Sequence, residues 1–308
     1  MNKPLLSICI PTYNRAHYLK ECLNCIVCQF EDKKVYSQVE IVISDNASED
    51  NTQELIKEYQ KDFSNIRYFR NSRNLWFDRN VDNVITKARG IFCWMSNDDE
   101  LIEKDALKFI LNIIKNNLDI GYIRIDSNNI LENKEIRYFK DGNDWLTNIG
   151  LTGGLLSQNI FNKKYLRSDR QKYYDNLWIH FSIALELIVD KPSILIKNVF
   201  KTAGREDFCR WAVNGFTIVT YTQLKKIIQK LPQQGYDKKV INKLLNGFAR
   251  DLPKNVVSAK IHGLKINFSN FKLLVKEFSY SPFWSFISIL VFFTPSFILK
   301  KVKRFKDK

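Results

Sequence analysis

Over residues 4–116 of this 308-residue chain, short apolar runs alternate with stretches of helical periodicity, and that alternation leaves little choice of architecture. Leu5-Leu-Ser-Ile-Cys-Ile10 stops at Pro11-Thr-Tyr-Asn14, and Val39-Glu-Ile-Val-Ile-Ser44 stops at Asp45-Asn-Ala-Ser48. Both runs read as strands buried on two faces. A helix is predicted between them over Ala16 to Phe30, and another from Asp50 to Tyr59, where polar capping residues precede apolar ones at helical spacing. Ile66 to Phe69 (strand), Asp78 to Ala88 (helix), Ile91 to Met95 (strand) and Asp105 to Asn116 (helix) complete the series. The order βαβαβαβα predicts an α/β fold in which helices cover a mostly parallel, Rossmann-like sheet, with the ligand site at the carboxyl ends of the strands.

Polar residues gather at those ends: Thr12, Tyr13 and Asn14 after the first strand, Asp45 and Asn46 after the second, and Asn97-Asp98-Asp99-Glu100 after Met95. The chain has no GxGxxG and no GxxxxGK[ST] motif, which excludes the usual dinucleotide and P-loop sites, since each holds phosphates on a glycine turn and a helix N-terminus. Three consecutive carboxylates beside an apolar strand need compensation, and a divalent metal supplies it while keeping positions open for a diphosphate. Taken alone, the acidic run also fits a helix cap, and Asp45 an Asx turn. The functional reading rests on both loops and Pro-Thr-Tyr-Asn falling at the strand ends of one sheet.

Ser7-Ile-Cys-Ile-Pro-Thr-Tyr-Asn-Arg15, Ile41 to Thr52, Asn74 to Asn80 and Trp94-Met-Ser-Asn-Asp-Asp-Glu100, in that order, resemble the motifs of the family 2 glycosyltransferases with the GT-A fold, closest in flavour to abequosyltransferase-like enzymes of bacterial surface-glycan assembly. The resemblance covers roughly residues 4–116. It implies that Pro11, Thr12 and Tyr13 line a nucleotide pocket, that Asp45 binds the base, with a UDP-type donor favoured, and that Arg79 and Asn80 lie near the sugar diphosphate. Asp98-Asp99-Glu100 takes the DXD position, with Asp98 and Asp99 on the donor and Asp98 and Glu100 on Mg2+ or Mn2+; Glu100 stands where an aspartate is usual, and Trp76 where a glycine is common. The implied reaction inverts the donor configuration as an acceptor hydroxyl, deprotonated by a carboxylate, displaces a nucleoside diphosphate. A glycosidase would need two acids facing each other across the bond instead of a contiguous acidic run.

The resemblance implies a general base at the start of a late helix that follows a glycine-containing acceptor loop. Thr152-Gly-Gly-Leu-Leu-Ser157 fits that loop, and Asp175 stands at the start of a helix predicted over Leu177 to Val189. Asp175 is therefore the expected catalytic base; it equally fits a plain N-cap, and Glu206-Asp207, after a strand at Ser193 to Val199, is the competing pair. His180 on the same helix is an expected metal, diphosphate or acceptor contact, or else an ordinary packed histidine. These readings set residues 1–210 as the GT-A domain, with 1–116 for nucleotide-sugar binding and 150–210 for the acceptor side, residues 211–252 as a helical subdomain, and 253–308 as a membrane-associating C-terminus.

The formal charge of +15 points to an anionic partner. From Lys254 to Lys308 the sequence has 11 Lys and Arg against 2 Asp and Glu, a net of +9. There the 17 residues from Phe283 to Leu299 carry no charge and precede Lys300, Lys301, Lys303, Arg304, Lys306 and Lys308. An apolar run followed by a basic one is a membrane-surface pattern, and the run is short of the roughly 20 residues of a span and broken by Pro295. Nucleic acid is set aside, since the basic excess abuts an apolar run instead of interleaving with aromatics. The N-terminus goes straight into a strand pattern with no signal region, so the expected place is the cytoplasmic side of the bacterial inner membrane, peripheral or monotopic, where cysteines stay reduced. Cys22, Cys25 and Cys28 share a helical spacing of three and read as packing thiols, with three ligands to zinc or an iron–sulfur cluster as the other possibility. Together with the resemblance, this implies transfer of a sugar to a polyprenyl-diphosphate-linked glycan acceptor in O-antigen, capsule or lipooligosaccharide synthesis. The alternative is a non-catalytic, membrane-associated nucleotide- or glycan-binding protein of the same fold.

Overall fold

The computed structural model describes residues 3–127, 130–131, 134–151, 155–202, 216–261 and 268–300. It divides into two compact units, Met1–Gly204 and Arg205–Lys308.

In the first unit, β1 (Leu6–Thr12), β2 (Val39–Asp45), β3 (Ile66–Arg70) and β4 (Phe92–Met95) are mutually parallel. A short β5 (Glu100–Ile102) leaves the sheet, which continues with β6 (Tyr122–Asp126), β7 (Ile136–Phe139), β8 (Asn159–Asn162) and β9 (Ser193–Lys197) in the order β3-β2-β1-β4-β8-β6-β9-β7. Only β8 and β7 run against the rest. β5 pairs antiparallel with β10 (Phe200–Thr202) in a separate two-stranded sheet. The fold is thus GT-A-like, a mostly parallel sheet flanked by helices. The predicted β1 to β4 are all present, as is the strand expected at Ser193 to Val199, whereas β5, β6, β7, β8 and β10 were not picked out along the chain.

The helices follow the apolar spacing. α1 (Ala16–Val27) buries Ala16, Leu19, Cys22, Leu23 and Ile26 and is followed by a 3-10 turn, Cys28–Glu31, where the sequence predicted continuous helix to Phe30. After the four-residue α2 (Lys33–Tyr36) come α3 (Thr52–Asp62), α4 (Trp76–Lys87), α5 (Ala106–Lys115), α6 (Gly142–Asn148) and α7 (Ile179–Ile188). α1 and α5 bury their apolar faces with β1, β2, β4 and β6 in one core. Cys22 joins this core while Cys28 is exposed, because each three-residue step falls about 60° short of a full turn and the three thiols drift off one face. Among the described residues no three His, Cys, Asp or Glu side chains converge to hold a metal, so the cysteine triplet forms no such centre there. Cys209 lies outside the described residues.

The second unit is helical: α8 (Phe216–Lys230), α9 (Lys238–Ile261), α10 (Phe268–Phe278) and α11 (Pro282–Phe293), with helical residues again at 296–300. Leu252, Val256, Leu274, Phe278 and Phe292 form its core, and the rings of Tyr221 and Phe248 stack at 3.7 Å. α9 runs unbroken through Pro253, across the expected boundary at 252/253. The buried Lys260 points its ammonium at the last carbonyls of α11, donating to Val291 O at 3.2 Å, Phe292 O at 2.5 Å and Thr294 O. Lys225 does the same for α10 through Glu277 O and pairs with the Glu277 carboxylate at 2.9 Å. Cations at helix C-terminal ends complement the orphan carbonyls and the dipole there. Among the described residues no helix is long and apolar enough to cross a membrane. His262 and Lys301 to Lys308 lie outside the described residues.

Candidate functional site

Parallel pairing in the register Thr12↔Asp45 and Cys9↔Met95 brings the C-terminal ends of β1, β2 and β4 side by side. The loops leaving them are stitched together: Asn46 N donates to Thr12 O at 2.9 Å, Asn14 N to Ser48 Oγ at 2.9 Å, and Glu49 N to Asn14 Oδ1 at 2.7 Å. Among the described residues, five of the six non-glycine residues with positive φ fall in loops or at a helix start around this end, namely Asn14, Ala47, Trp76, Asp175 and Leu177. Left-handed backbone at such residues costs free energy and persists where surrounding contacts impose it, as happens at working sites.

The acidic loop is held from β1. Thr12 Oγ1 donates to Asp98 Oδ2 at 2.8 Å, and the Arg15 guanidinium spans two carboxylates, Nε to Asp98 Oδ1 at 2.9 Å and Nη2 to Asp99 Oδ2 at 2.5 Å, while lying 4.5 Å over the Tyr18 ring. Burial pushes the Asp98 carboxyl up to about 6, against the pull of Arg15 and Thr12. Glu100 points elsewhere. It begins β5, and strand alternation puts it on the inner face with Ile102, wholly buried, where its Oε1 accepts from Ser157 Oγ at 3.0 Å and Asn97 Nδ2 at 3.3 Å. His180 is buried in α7 between the rings of Phe77 and Trp178, each 6.0 Å away. The expected ligand set of Asp98, Glu100 and His180 is not assembled, and no triad of such ligands is gathered among the described residues. The carboxylates that share one cation are Asp98 and Asp99. Their hard oxygens, already balanced by Arg15, suit Mg2+ or Mn2+, so the fit to a divalent ion rests on this pair.

Asp45 and Asn80 are turned inward. Asp45 is fully buried; its Oδ1 accepts from Ser48 N at 2.8 Å, and its Oδ2 accepts from Tyr68 Oη at 2.6 Å and lies 3.4 Å from Arg70 Nε. Burial and this carboxylate raise the Tyr68 phenol well above its ordinary pKa. Asn80 bridges α4 to β2, accepting from Ser44 Oγ at 2.7 Å and donating to Ser44 O at 3.1 Å, and it extends into an amide ladder through Asn71 to Asn83 and Asn46. Pro11 is partly covered, and Tyr13 stands 41% exposed beyond β1.

Arg79 and Asp175, 96 residues apart, meet in a two-pronged pair, Nη1 to Oδ1 at 2.7 Å and Nη2 to Oδ2 at 3.2 Å, with the guanidinium 4.8 Å over the Tyr174 ring. Asp175 is not the N-cap of α7; Trp178 takes that position, three residues on. Its carboxylate is 72% exposed, and the hydrogen bond from Arg79 holds its pKa below the ordinary range. The neighbouring Asp78, nearly buried, caps α7 from α4 by accepting from Leu177 N at 3.0 Å and Ile179 N at 3.4 Å. Two adjacent residues of one helix therefore fasten the whole 175–179 loop. Beside them opens a cavity of about 730 Å³ lined by Tyr68, Arg70, Asn71, Arg79, Lys87 and Tyr174 among others. Thr152 to Gly154 of the expected acceptor loop, and Glu206-Asp207, lie outside the described residues.

Three groups were not singled out from sequence. Arg15 sits in the Pro-Thr-Tyr-Asn-Arg run and was legible as a cation beside the acidic loop once the strands were placed. The amide ladder was signalled by the density of asparagines between positions 46 and 83. Nothing local marks Asp78, whose partners lie 99 and 101 residues on.

Residues 7–176 match the model of the glycosyl transferase family 2. The chain is 42% identical over 117 residues to the abequosyltransferase of Salmonella typhimurium, an alignment spanning 38% of this chain and 34% of that one. It is 26% identical over 192 residues, 58% of this chain and 59% of the other, to the GalNAc(5)-diNAcBac-PP-undecaprenol beta-1,3-glucosyltransferase of Campylobacter jejuni. Residues 1–349 of TarS from S. aureus, solved with UDP-GlcNAc, superpose with a TM-score of 0.64 at 13% identity, covering 92% of this chain and 88% of that one, a likeness of fold.

Proposed function

The chain belongs to the glycosyl transferase family 2, and from that premise we propose that it is an inverting glycosyltransferase moving a sugar from a nucleoside diphosphate donor, UDP-type favoured, to a polyprenyl-diphosphate-linked glycan at the cytoplasmic face of a bacterial membrane. The observation that carries the chemistry is the cluster of Thr12, Arg15, Asp98 and Asp99 at the ends of β1 and β4, with the Arg79–Asp175 pair on the loop before α7. In this reading Pro11, Thr12 and Tyr13 line the nucleotide pocket, while Asp45 shapes its floor through Tyr68 and Arg70 and Asn80 anchors α4. Asp98 and Asp99 would hold a divalent ion, which supplies charge neutralisation for the departing diphosphate.

Arg79 has two anionic partners to choose from. With no donor it holds Asp175 ionised; with a donor, its guanidinium suits the diphosphate, which offers the same two-pronged acceptors and a larger negative charge. Asp175, relieved of its partner, regains the basicity of an ordinary carboxylate and takes the proton of the acceptor hydroxyl as that oxygen attacks the anomeric carbon opposite the leaving group. The leaving oxygen departs with the bonding pair on the nucleoside diphosphate. The acceptor class is supported by the lipid-linked substrate in the name of the Campylobacter relative and by the apolar and basic C-terminal sequence.

The test is incubation of the purified full chain with UDP-, GDP-, CDP- and dTDP-sugars, with and without Mg2+ or Mn2+, reading nucleoside diphosphate release and thermal shift. Release with one donor class, and an inverted anomeric signal by NMR, is expected. Absence of both release and thermal shift with every donor overturns the proposal.

A further inference from the structure

α11 is amphipathic in the wrong sense for a helix that meets water. Its inward stripe is Ser285, Ser288 and Phe292, two of them hydroxylic and satisfied by backbone carbonyls, Ser285 on Phe278 O and Ser288 on Trp284 O at 2.7 Å. Its outward stripe is Phe283, Phe286, Leu290 and Phe293, exposed by 63%, 59%, 54% and 56%, and Phe297 continues it at 72%. The steps of three, four and three residues place the first four on one helical face, and Phe297 stands past the break at Thr294 and Pro295. Phe271, 5.4 Å from Phe293, extends the patch to Phe268, itself 78% exposed. A water-facing helix puts serine out and phenylalanine in, and an apolar patch of this size marks a contact site.

We infer that this face of α11, with Phe297 beyond it, lies flat in the headgroup and acyl boundary of an anionic bilayer. Charge complementarity selects the occupant: the stripe leads to exposed Lys300 and, in sequence, to five further Lys and Arg by position 308 with a single Asp. A second copy of the chain would set that basic segment against itself, whereas anionic lipid headgroups neutralise it while the acyl region takes the aromatic rings. The helix does not cross. It has 12 residues, about 18 Å of helix, and its C-terminal carbonyls are clamped by Lys260. The membrane contact named in the proposed function thereby acquires a face and a depth, and it rests on the membrane part of that reading, independent of its chemistry.

The test uses the full-length protein and extruded vesicles of phosphatidylcholine alone or with 30–40% phosphatidylglycerol, read by co-sedimentation, with nucleotide binding in lipid-free buffer measured on the same preparations. Wild type is expected to pellet with the anionic vesicles and to be released by high salt. The double substitution Phe286→Ser, Phe293→Ser removes two outward rings and is expected to lower the partition coefficient roughly 100-fold while circular dichroism and nucleotide binding stay unchanged. A Lys300→Gln, Lys301→Gln, Lys303→Gln variant is expected to lose the preference for phosphatidylglycerol and keep its fold. Unchanged vesicle binding in the Phe variant overturns the inference. So does a wild-type dimer that the same substitutions convert to monomer with no binding to either vesicle. Loss of nucleotide binding with vesicle binding intact would sink the glycosyltransferase reading and leave this one standing.

Discussion

Asp78→Ala tests whether one buried carboxylate holds the loop that carries the candidate base. In the folded chain Asp78 accepts from Leu177 N at 3.0 Å and Ile179 N at 3.4 Å, and truncation leaves both donors, at the start of α7, without that acceptor. A lost cap costs about 1 kcal/mol and an orphaned buried donor about 1–3 kcal/mol, so a total near 3 kcal/mol is expected. In a unit of some two hundred residues this corresponds to a fall in Tm of roughly 6–12 °C. Burial raises the Asp78 pKa in spite of the backbone amides of residues 175, 176, 177 and 179, which pull it down. Folding therefore costs the ionised form something relative to the unfolded chain, and the acceptor oxygens matter more than the charge. Asp78→Asn, which keeps one acceptor, should accordingly lose only about 1 kcal/mol, or roughly 2–4 °C. It should also flatten the wild-type pH profile. With a folded pKa above the unfolded one, the native state takes up the proton first as pH falls, so wild type gains stability toward the ordinary carboxylate range and loses it as pH rises through the folded value. Thermal melts of the three proteins between pH 4 and 8 decide the matter. A Tm for Asp78→Ala within 1 °C of wild type, or an Asn variant as unstable as the Ala variant, refutes the reasoning.

Asp98→Asn should leave the fold intact, since the amide can keep its oxygen toward Arg15 and donate its NH2 to Thr12 Oγ1, yet cut transfer by at least about 100-fold, measured as nucleoside diphosphate release at saturating donor. Gly90→Ala should destabilise the first unit by about 2–3 kcal/mol in urea melts, because the added Cβ would stand 2.6 Å from Ser7 N and 2.8 Å from Phe92 O, both backbone atoms. Lys260→Met keeps the buried stem but withdraws the ammonium from the carbonyls ending α11, and a loss of about 2–4 kcal/mol is expected from chemical denaturation followed by circular dichroism. Because burial lowers the Lys260 pKa, wild type should gain stability as pH rises from the folded value toward that of free lysine, a rise the Met variant should lack.

How much of this could be read along the chain depended on whether the signal was local. β1, β2 and β4 are apolar on both faces and end in polar punctuation, so their existence and the clustering of Thr12, Asp45 and Asp98 at one sheet edge followed from sequence. Glu100 misled because three acids in a row look like one site; a single residue of strand alternation turns the third into the core, toward Ser157. Asp175 was chosen for its place at the start of a helix, with a plain cap as the other reading; the cap position falls to Trp178, and the partner of Asp175 is Arg79, 96 residues away, which no local pattern announces. α9 runs through the expected boundary at 252/253, since it loses one amide donor at Pro253 and keeps the packing of Leu252 and Val256. The inverted polarity of α11 was invisible in composition, where the segment reads only as uncharged, and emerged once inside and outside were known.

The fastening of the 175–179 loop by Asp78 and Arg79 also has a meaning in time. The strands β1 to β4 have all been made once residue 99 has left the ribosome, but the ties across the loop span 96 to 101 residues and cannot form until Ile179 follows. At about 5–20 residues per second that is a wait of roughly 4–16 s, and closing a loop of such length carries an entropic cost no local contact relieves. A nascent chain in that interval has Thr12, Asp45 and Asp98 made and neither Asp175 nor the start of α7 beside them. Translation itself thus sets the order in which the two sides of the candidate site can form.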